Sequence, residues 1–290
     1  MKIGLYLSVK RREVGLREAL EKGFKRHGDT VDSMLRKEFS QHHNQSGCDL
    51  AVFVGVKSRK IWNKCMADSK QTLLLDKGYF DRAGSYRMSI GGYQPPYLDS
   101  MRQDDSRLRS LGVAIEQRRT GDLIIYAGSS KKYCMFHDLG DVTDYAHKIC
   151  AAINEHAPKD KRVLYRPKPS WWVNDDEDVQ KTVPPNTRLS PPEQNFKALL
   201  RSTQCIVTHG SNAAVEALAA GVPVVLTSEP GASAVYDLCE HDMAKLATPF
   251  WPTDAARKQR LANLAWCQFN LQEIAAGFAW ECLKPHARGM

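Results

Sequence analysis

The chain has 290 residues, 42% of them hydrophobic and 26% charged, and a formal net charge of +8. Its length exceeds what one core usually serves, so two domains of about 120–150 residues are expected, and the composition excludes a disordered or fibrous chain. No apolar run approaches the ~20 residues of a membrane-spanning helix, and eight scattered cysteines without a CxxC pair argue against a zinc site and for a reducing cytoplasm.

Residues 2–8 read as a first strand, followed by a helical stretch over 13–26 and a short strand at 30–32. The run Asp49-Leu50-Ala51-Val52-Phe53-Val54-Gly55 is continuously apolar and ends in glycine, the pattern of a buried parallel strand. A helical stretch over 58–68 leads to the strand Thr72-Leu73-Leu74-Leu75-Asp76. This rhythm of strand and helix calls for a parallel sheet covered by helices. From 77 to 119 the rhythm loosens into an irregular excursion rich in Tyr, Arg and Gly, a composition that suits a binding surface better than a core.

Asp122-Leu123-Ile124-Ile125-Tyr126-Ala127-Gly128 restarts the alternation, with a helix expected over 142–156 and a strand over 162–166. A polar, Pro-rich stretch runs from 167 to 192. Beyond it come a helix over 193–202, a strand over 205–208, a helix over 211–220 and a strand over 223–227. Helical stretches over 254–266 and 270–283 close the chain. The fold class is therefore α/β, two Rossmann-like domains facing a cleft. Residues 1–120 form the acceptor side and 121–265 the donor side, with a helix over 266–290 packing back on the N-terminal domain. Ligands of such sheets bind at the carboxyl ends of the strands.

The most specific stretch is Thr208-His209-Gly210-Ser211-Asn212-Ala213-Ala214-Val215-Glu216-Ala217-Leu218-Ala219-Ala220-Gly221-Val222-Pro223. A buried strand runs out at His209, Gly210 permits a tight turn, and a helix of small residues begins. Amide groups at such a corner suit a diphosphate, and Ser211 or Asn212 caps the helix or donates to phosphate. Glu216, about one turn in, is placed to accept the hydroxyls of a ribose, as acidic residues do in dinucleotide sites. Left to itself, a strand-glycine-helix corner is also compatible with a plain α/β unit carrying a solvated His and Glu.

This stretch resembles the donor domain of GT-B glycosyltransferases, whose pattern (H/S)-G-(S/G)-x-x-x-x-E-A-x-x-x-G-x-P it follows from His209 to Pro223. The resemblance implies a nucleotide-sugar co-substrate such as a UDP-sugar, no other cofactor, and transfer of a hexosyl or pentosyl group to an acceptor hydroxyl. Val163-Leu164-Tyr165-Arg166-Pro167-Lys168-Pro169 adds Arg166 and Lys168 just past a strand, able to clamp phosphate oxygens. That segment is similar to the Arg-Pro-His-Pro of capsule-type sugar transferases, with Lys168 where their His stands.

An inverting transferase needs a general base. Asp76, ending an apolar strand, is the first candidate and His137 the second. The acidic run Asn174-Asp175-Asp176-Glu177-Asp178 reads as a solvated loop rather than a metal site, and no membrane span or metal is expected. Tyr79, Arg82 and Arg87 represent the cations and aromatics of the excursion, a mixture that suits nucleic acid. In size, basic balance and two-domain layout the chain also resembles phage-type DNA glycosyltransferases. These modify 5-hydroxymethylpyrimidines in double-stranded DNA, in the host cytoplasm when phage-encoded. A capsule or lipopolysaccharide-type glycan acceptor, a non-catalytic nucleotide-sugar or nucleic-acid binding module, and a sugar epimerase remain as alternatives.

Overall fold

The computed structural model describes residues 1–41, 47–168, 183–191 and 193–287. The chain divides into two compact units, one made of Met1–Arg107 with Ala262–Met290 and the other of Leu108–Leu261. In chain order the first unit opens with β1 (Lys2–Leu7), α1 (Arg11–Arg26), β2 (Thr30–Leu35), β3 (Leu50–Val54) and α2 (Arg59–Ala67). It continues with β4 (Gln71–Lys77) and β5 (Ser85–Ile90), and α3 (Ser106–Ser110) leads into the second unit. There follow β6 (Leu123–Ala127), α4 (Lys131–Phe136), α5 (Val142–His156), β7 (Arg162–Arg166) and β8 (Arg188–Leu189). Next come α6 (Phe196–Leu200), β9 (Thr203–Thr208), α7 (Ala213–Ala219), β10 (Val224–Leu226) and α8 (Asp254–Ala265). The chain closes with β11 (Gln268–Asn270), α9 (Leu271–Ala275) and α10 (Phe278–Leu283).

The first unit holds a six-stranded sheet in the order β11-β5-β4-β3-β1-β2. Strands β1 to β4 are parallel, with Leu5 opposite Val52 and Val52 opposite Leu73, whereas β5 runs against both its neighbours, pairing antiparallel with β4 and with β11. Within residues 77–119, read as a binding surface, the structure makes residues 85–90 an interior strand. All six residues of β5 are buried, because β4 and β11 flank it on both edges. A strand in the middle of a sheet covered on both faces hides its polar residues as well as its apolar ones.

The first unit is closed by its C-terminal segment. Leu16, Ala19, Leu20 and Phe24 form the buried stripe of α1 at helical spacing. They pack in one cluster with Phe269, Ile274, Trp280 and Leu283, and the Phe24 and Trp280 rings meet edge to face at 4.9 Å. The helix expected over 270–283 is in fact two. Gly277 adopts φ +85°, a left-handed conformation that ends α9 and turns the chain into α10. The short β11 had no signal in the sequence beyond Gln268-Phe269-Asn270 following a helix.

Asp29 lies beneath this closure, 5% exposed, and accepts hydrogen bonds from Trp280 Nε1 at 2.6 Å and the Met1 amine at 2.7 Å, with Lys284 Nζ at 3.2 Å. Burial pushes its carboxyl pKa up, but the donors outweigh burial and hold it below the ordinary value. The unit boundary falls at 107/108 rather than near 120. Glu116 and Arg119 donate backbone bonds to Ala219 and Gly221, at 2.8 and 2.6 Å, and so belong to the second unit.

In the second unit five parallel strands lie in the order β10-β9-β6-β7-β8. Helix α5 is capped by Asp141, whose carboxylate accepts from the Thr143 and Asp144 amides. It lays Val142, Ala146, Ile149, Cys150 and Ile153 against the sheet.

Replacing Asp29 by Ala strands the Trp280 and Lys284 donors in a buried place, and should lower unfolding free energy by about 3 kcal/mol in denaturant titration. A carboxylate with a depressed folded pKa stabilises above its unfolded value near ~3.9 and loses that contribution as pH falls through the folded value. The wild-type chain should therefore lose stability below about pH 4, and Asp29→Asn should flatten that acid limb.

Candidate functional site

In the second unit the chain moves from β6 to β7 and β8 on one side, then returns to place β9 and β10 on the other. The strand order therefore reverses between β6 and β9. The loops leaving the carboxyl ends of these two neighbours part in opposite directions and leave a crevice, the usual ligand position of an open parallel sheet. Thr208 Oγ1 donates to the Ala127 carbonyl at 2.8 Å, pinning the two strand ends together where the crevice opens.

His209 follows at once and is 7% exposed. Its Nδ1 lies 2.8 Å from the Tyr145 hydroxyl, which is 2.9 Å from Thr227 Oγ1 beyond β10. The imidazole is packed among Tyr133, His137 and Tyr145, with ring centroids 5.9, 5.7 and 5.6 Å away. Burial disfavours the imidazolium and lowers the His209 pKa to about 4, so the ring is neutral at physiological pH. With Nδ1 engaged by Tyr145, Nε2 is the ring nitrogen left for a ligand.

Gly210 is required by contact. A Cβ there would stand 2.6 Å from the Tyr133 hydroxyl and 2.7 Å from the Ala232 carbonyl, closer than side-chain carbons approach. Among the described residues, neither the Gly210 nor the Ser211 amide donates to a protein acceptor. Ser211 Oγ accepts from the Ala213 amide at 3.3 Å, so it is Ser211 that caps the corner. Asn212 is already helical and its side chain makes no cap; instead Nδ2 donates to Glu216 Oε1 at 3.0 Å. Helix α7 is seven residues long, so its field is modest and the side chains around the corner carry most of its chemistry.

Arg166 ends β7 and donates to Ser190 Oγ at 2.8 Å, with its guanidinium over the Phe196 ring at 5.6 Å. Burial lowers its pKa, and the charge of Glu216 works in the opposite direction. The two groups thus sense one another although 50 residues separate them in the chain. Ser190 in turn donates to Gln194 Oε1 at 2.9 Å. Lys168 is exposed just past β7. The structure accordingly brings together Arg166, His209, Gly210, Ser211, Asn212 and Glu216 in one unit, and adds His137, whose ring is 5.7 Å from that of His209.

The sequence reading missed Tyr145, Thr227, Ser190 and Phe196. Tyr145 lies one place from Ala146 and three from Val142 on the buried face of α5, a position that faces the sheet. Thr227 directly follows β10, at the same edge as His209.

The remaining candidates sit in the first unit and form a different kind of site. Arg87, in β5, is 6% exposed and donates to Gln94 Oε1 at 2.5 Å; the Tyr79 hydroxyl donates to the same oxygen at 2.8 Å. Arg87 also stacks over Tyr93 at 4.5 Å and pairs with Asp76 at 3.5 Å across the β4–β5 ladder. Burial works against its charge, but Tyr93, Tyr79 and Asp76 more than offset it and raise the guanidinium pKa. Tyr79, 2% exposed, and Arg87 are therefore parts of a buried network and not an exposed stacking surface. Arg82 is exposed, its guanidinium 3.5 Å from the Gly78 carbonyl. Asp76 is about one-third exposed at the carboxyl end of β4. The acidic run 174–178 lies outside the described residues, and among the described residues no cluster of His, Cys, Asp and Glu could hold a metal ion. No helix among them is long and apolar enough to cross a membrane.

Neither a family model nor a curated protein matches the chain by sequence. Solved structures do match by shape. The beta Kdo 2,4 transferase of Thermosulfurimonas dismutans KpsC superposes with a TM-score of 0.54 at 15% identity, covering 93% of this chain and 92% of that one. The beta Kdo 2,7 transferase of the same protein superposes with a TM-score of 0.55 at 14% identity, covering 97% and 99%. At this identity the likeness is one of fold: paired Rossmann-like α/β units of the GT-B type.

Two measurements check the His209 arrangement. Its imidazole should stay neutral in NMR titration down to about pH 4. Tyr145→Phe removes the Nδ1 partner from a buried ring, and should shift the His209 ring nitrogen resonances and weaken any anionic ligand of this corner by about tenfold.

Proposed function

We propose that the chain is a glycosyltransferase that takes its sugar from a nucleotide-sugar, with the diphosphate seated in the crevice of the second unit. One observation carries this reading. At the switch point between β6 and β9, two uncommitted amides and a neutral histidine lie at one sheet edge with Arg166, which feels the charge of Glu216. A nucleoside diphosphate asks for this mixture. Amides and a guanidinium meet the phosphate oxygens, and a carboxylate accepts from the ribose hydroxyls. Asn212 holds one Glu216 oxygen, which leaves the other for the ribose.

In the transfer, an acceptor hydroxyl oxygen forms a bond to the anomeric carbon as the bond to the diphosphate breaks. The hydroxyl proton passes to a base, and the electron pair leaves with the diphosphate. The Gly210 and Ser211 amides, Arg166 and His209 Nε2 act on the charge developing on that leaving group. For the base we propose Asp76, which its pairing with Arg87 orients at the end of β4.

The acceptor we propose is a carbohydrate hydroxyl. The burial of Tyr79 and Arg87 removes part of the aromatic and cationic surface that favoured 5-hydroxymethylpyrimidines in DNA. Two structures that superpose on nearly the whole chain are, by name, Kdo transferases.

Incubation with a panel of nucleotide-sugars, followed by chromatography of the released nucleotide and mass spectrometry of oligosaccharide and hydroxymethylated-DNA acceptors, tests the proposal. One donor should be consumed in an acceptor-dependent way. Glu216→Ala should weaken donor binding about tenfold or more while the fold survives. Asp76→Asn should cut turnover by ~100-fold with donor binding retained. If no donor binds and Glu216→Ala changes nothing, the reading is wrong; a sugar appearing on DNA would restore the nucleic-acid acceptor.

A further inference from the structure

The chain carries a net charge of +8, and the cations of its first unit are not spread evenly. Its parallel strands send every loop from their carboxyl ends to one edge of the sheet: residues 8–10 after β1, 36–41 after β2, 55–58 after β3 and 77–84 after β4. Together with the first turn of α2, these segments expose Lys10, Lys37, Lys57, Lys60, Lys77 and Arg82. The acidic side chains there are mostly committed within the fold. Glu13 accepts from Arg36 and the Ser8 amide, Glu38 from the Leu35 amide, Asp76 pairs with Arg87, and Asp81 accepts from the Gly84 amide. At the opposite edge Asp49 and Asp68 are mixed with Lys25, Arg26 and Lys70, and Asp29 is buried against the Met1 amine and Lys284. Neighbouring strands are about 4.8 Å apart, less than the ~8 Å Debye length at physiological salt, so the cations of adjacent loops act as one positive field.

The topology places this field where a ligand would sit. The order β4-β3-β1-β2 reverses between β1 and β3, so the crevice of this sheet lies between residues 8–10 and 55–58. Gly55 opens the second of these loops with φ +67°, and a Cβ there would meet nothing within 4 Å. Glu13 and Arg36 bridge the crevice, Glu13 accepting from the Ser8 amide and Arg36 reaching the Val54 carbonyl, and Lys10 and Lys57 are exposed in the loops on either side.

Resting on the transferase reading, we infer that the carboxyl edge of the first unit binds the acceptor and that the acceptor is an acidic oligosaccharide, one bearing carboxylates or phosphates along its length. A nucleic acid would want exposed rings on which bases stack, and among the described residues of this unit the large exposed hydrophobic ones are Val9, Val14, Met66 and Leu271, none of them aromatic. An anionic membrane would want a broader apolar face than Val9 and Val14 provide.

The test is binding of the full chain to an oligogalacturonate, compared at low and physiological salt with a neutral maltooligosaccharide of equal length, a DNA duplex, and phosphatidylglycerol vesicles. The oligogalacturonate should bind and the maltooligosaccharide should not. Lys57→Glu with Lys60→Glu should weaken the acidic probe at least tenfold, whereas Lys148→Glu with Lys159→Glu, an equal change of net charge on the second unit, should leave it within twofold. Equal binding of the neutral probe, equal loss in both charge-reversed pairs, or tighter binding of DNA or vesicles would each overturn the inference. Nucleotide-sugar binding is measured on the same samples. Its presence without oligogalacturonate binding defeats this inference alone; its absence defeats the transferase reading and the acceptor role with it.

Discussion

Parallel pairing governs the chemistry of this molecule. A strand that must lie parallel to its predecessor has to be reached by a crossover, and every such crossover leaves from the same edge of the sheet. In the second unit this collects the ends of β6, β7, β9 and β10 on one edge, where Ala127, Arg166, Thr208, His209 and Thr227 meet although they span 100 residues of chain. The hydrogen bond from Thr208 to the Ala127 carbonyl is the fastening of that edge. It extends the β6–β9 ladder, which ends at Tyr126 and Val207, by one side-chain bond next to the corner at Gly210.

The two units treat charge in different ways. The crevice of the second unit is built from an imidazole kept uncharged by burial, amides, and an arginine that feels the charge of Glu216. Such a site attracts an anion through directed hydrogen bonds, which also fix its orientation. The first unit instead gathers lysines along an edge, where long flexible side chains supply field more than geometry.

Where a side chain was legible from the sequence, the reason was local. The helix over 142–156 and the strand over 162–166 appear at the expected residues, because an apolar stripe at 3.6-residue spacing and a short apolar run bounded by turn residues need no distant partner to be recognised. Arg166, His209 and Glu216 stood out because each sits at a fixed offset from a strand end or a helix start. The antiparallel additions to the first sheet were not legible in the same way. β5 carries Tyr86, Arg87 and Ser89, which read as a surface until β11 arrives from the far end of the chain to cover its open edge. The break at Gly277 hid within a helical composition, since an isolated glycine does not announce whether it will take a positive φ.

The sequence by itself determined that the chain is α/β, where most parallel strands lie, and that a tight glycine corner joins a strand to a helix at residues 208–213, since all of these follow from periodicity and short-range stereochemistry. Tertiary structure alone decided that Arg87 and Tyr79 are interior, that Tyr145 and Thr227 hold His209, and that Asp29 ties the return of the C-terminal helices to the first unit. Each of those depends on residues far apart in the chain arriving at the same place. Burial is a property of what covers a residue and not of the residue itself, so no local pattern could have supplied it.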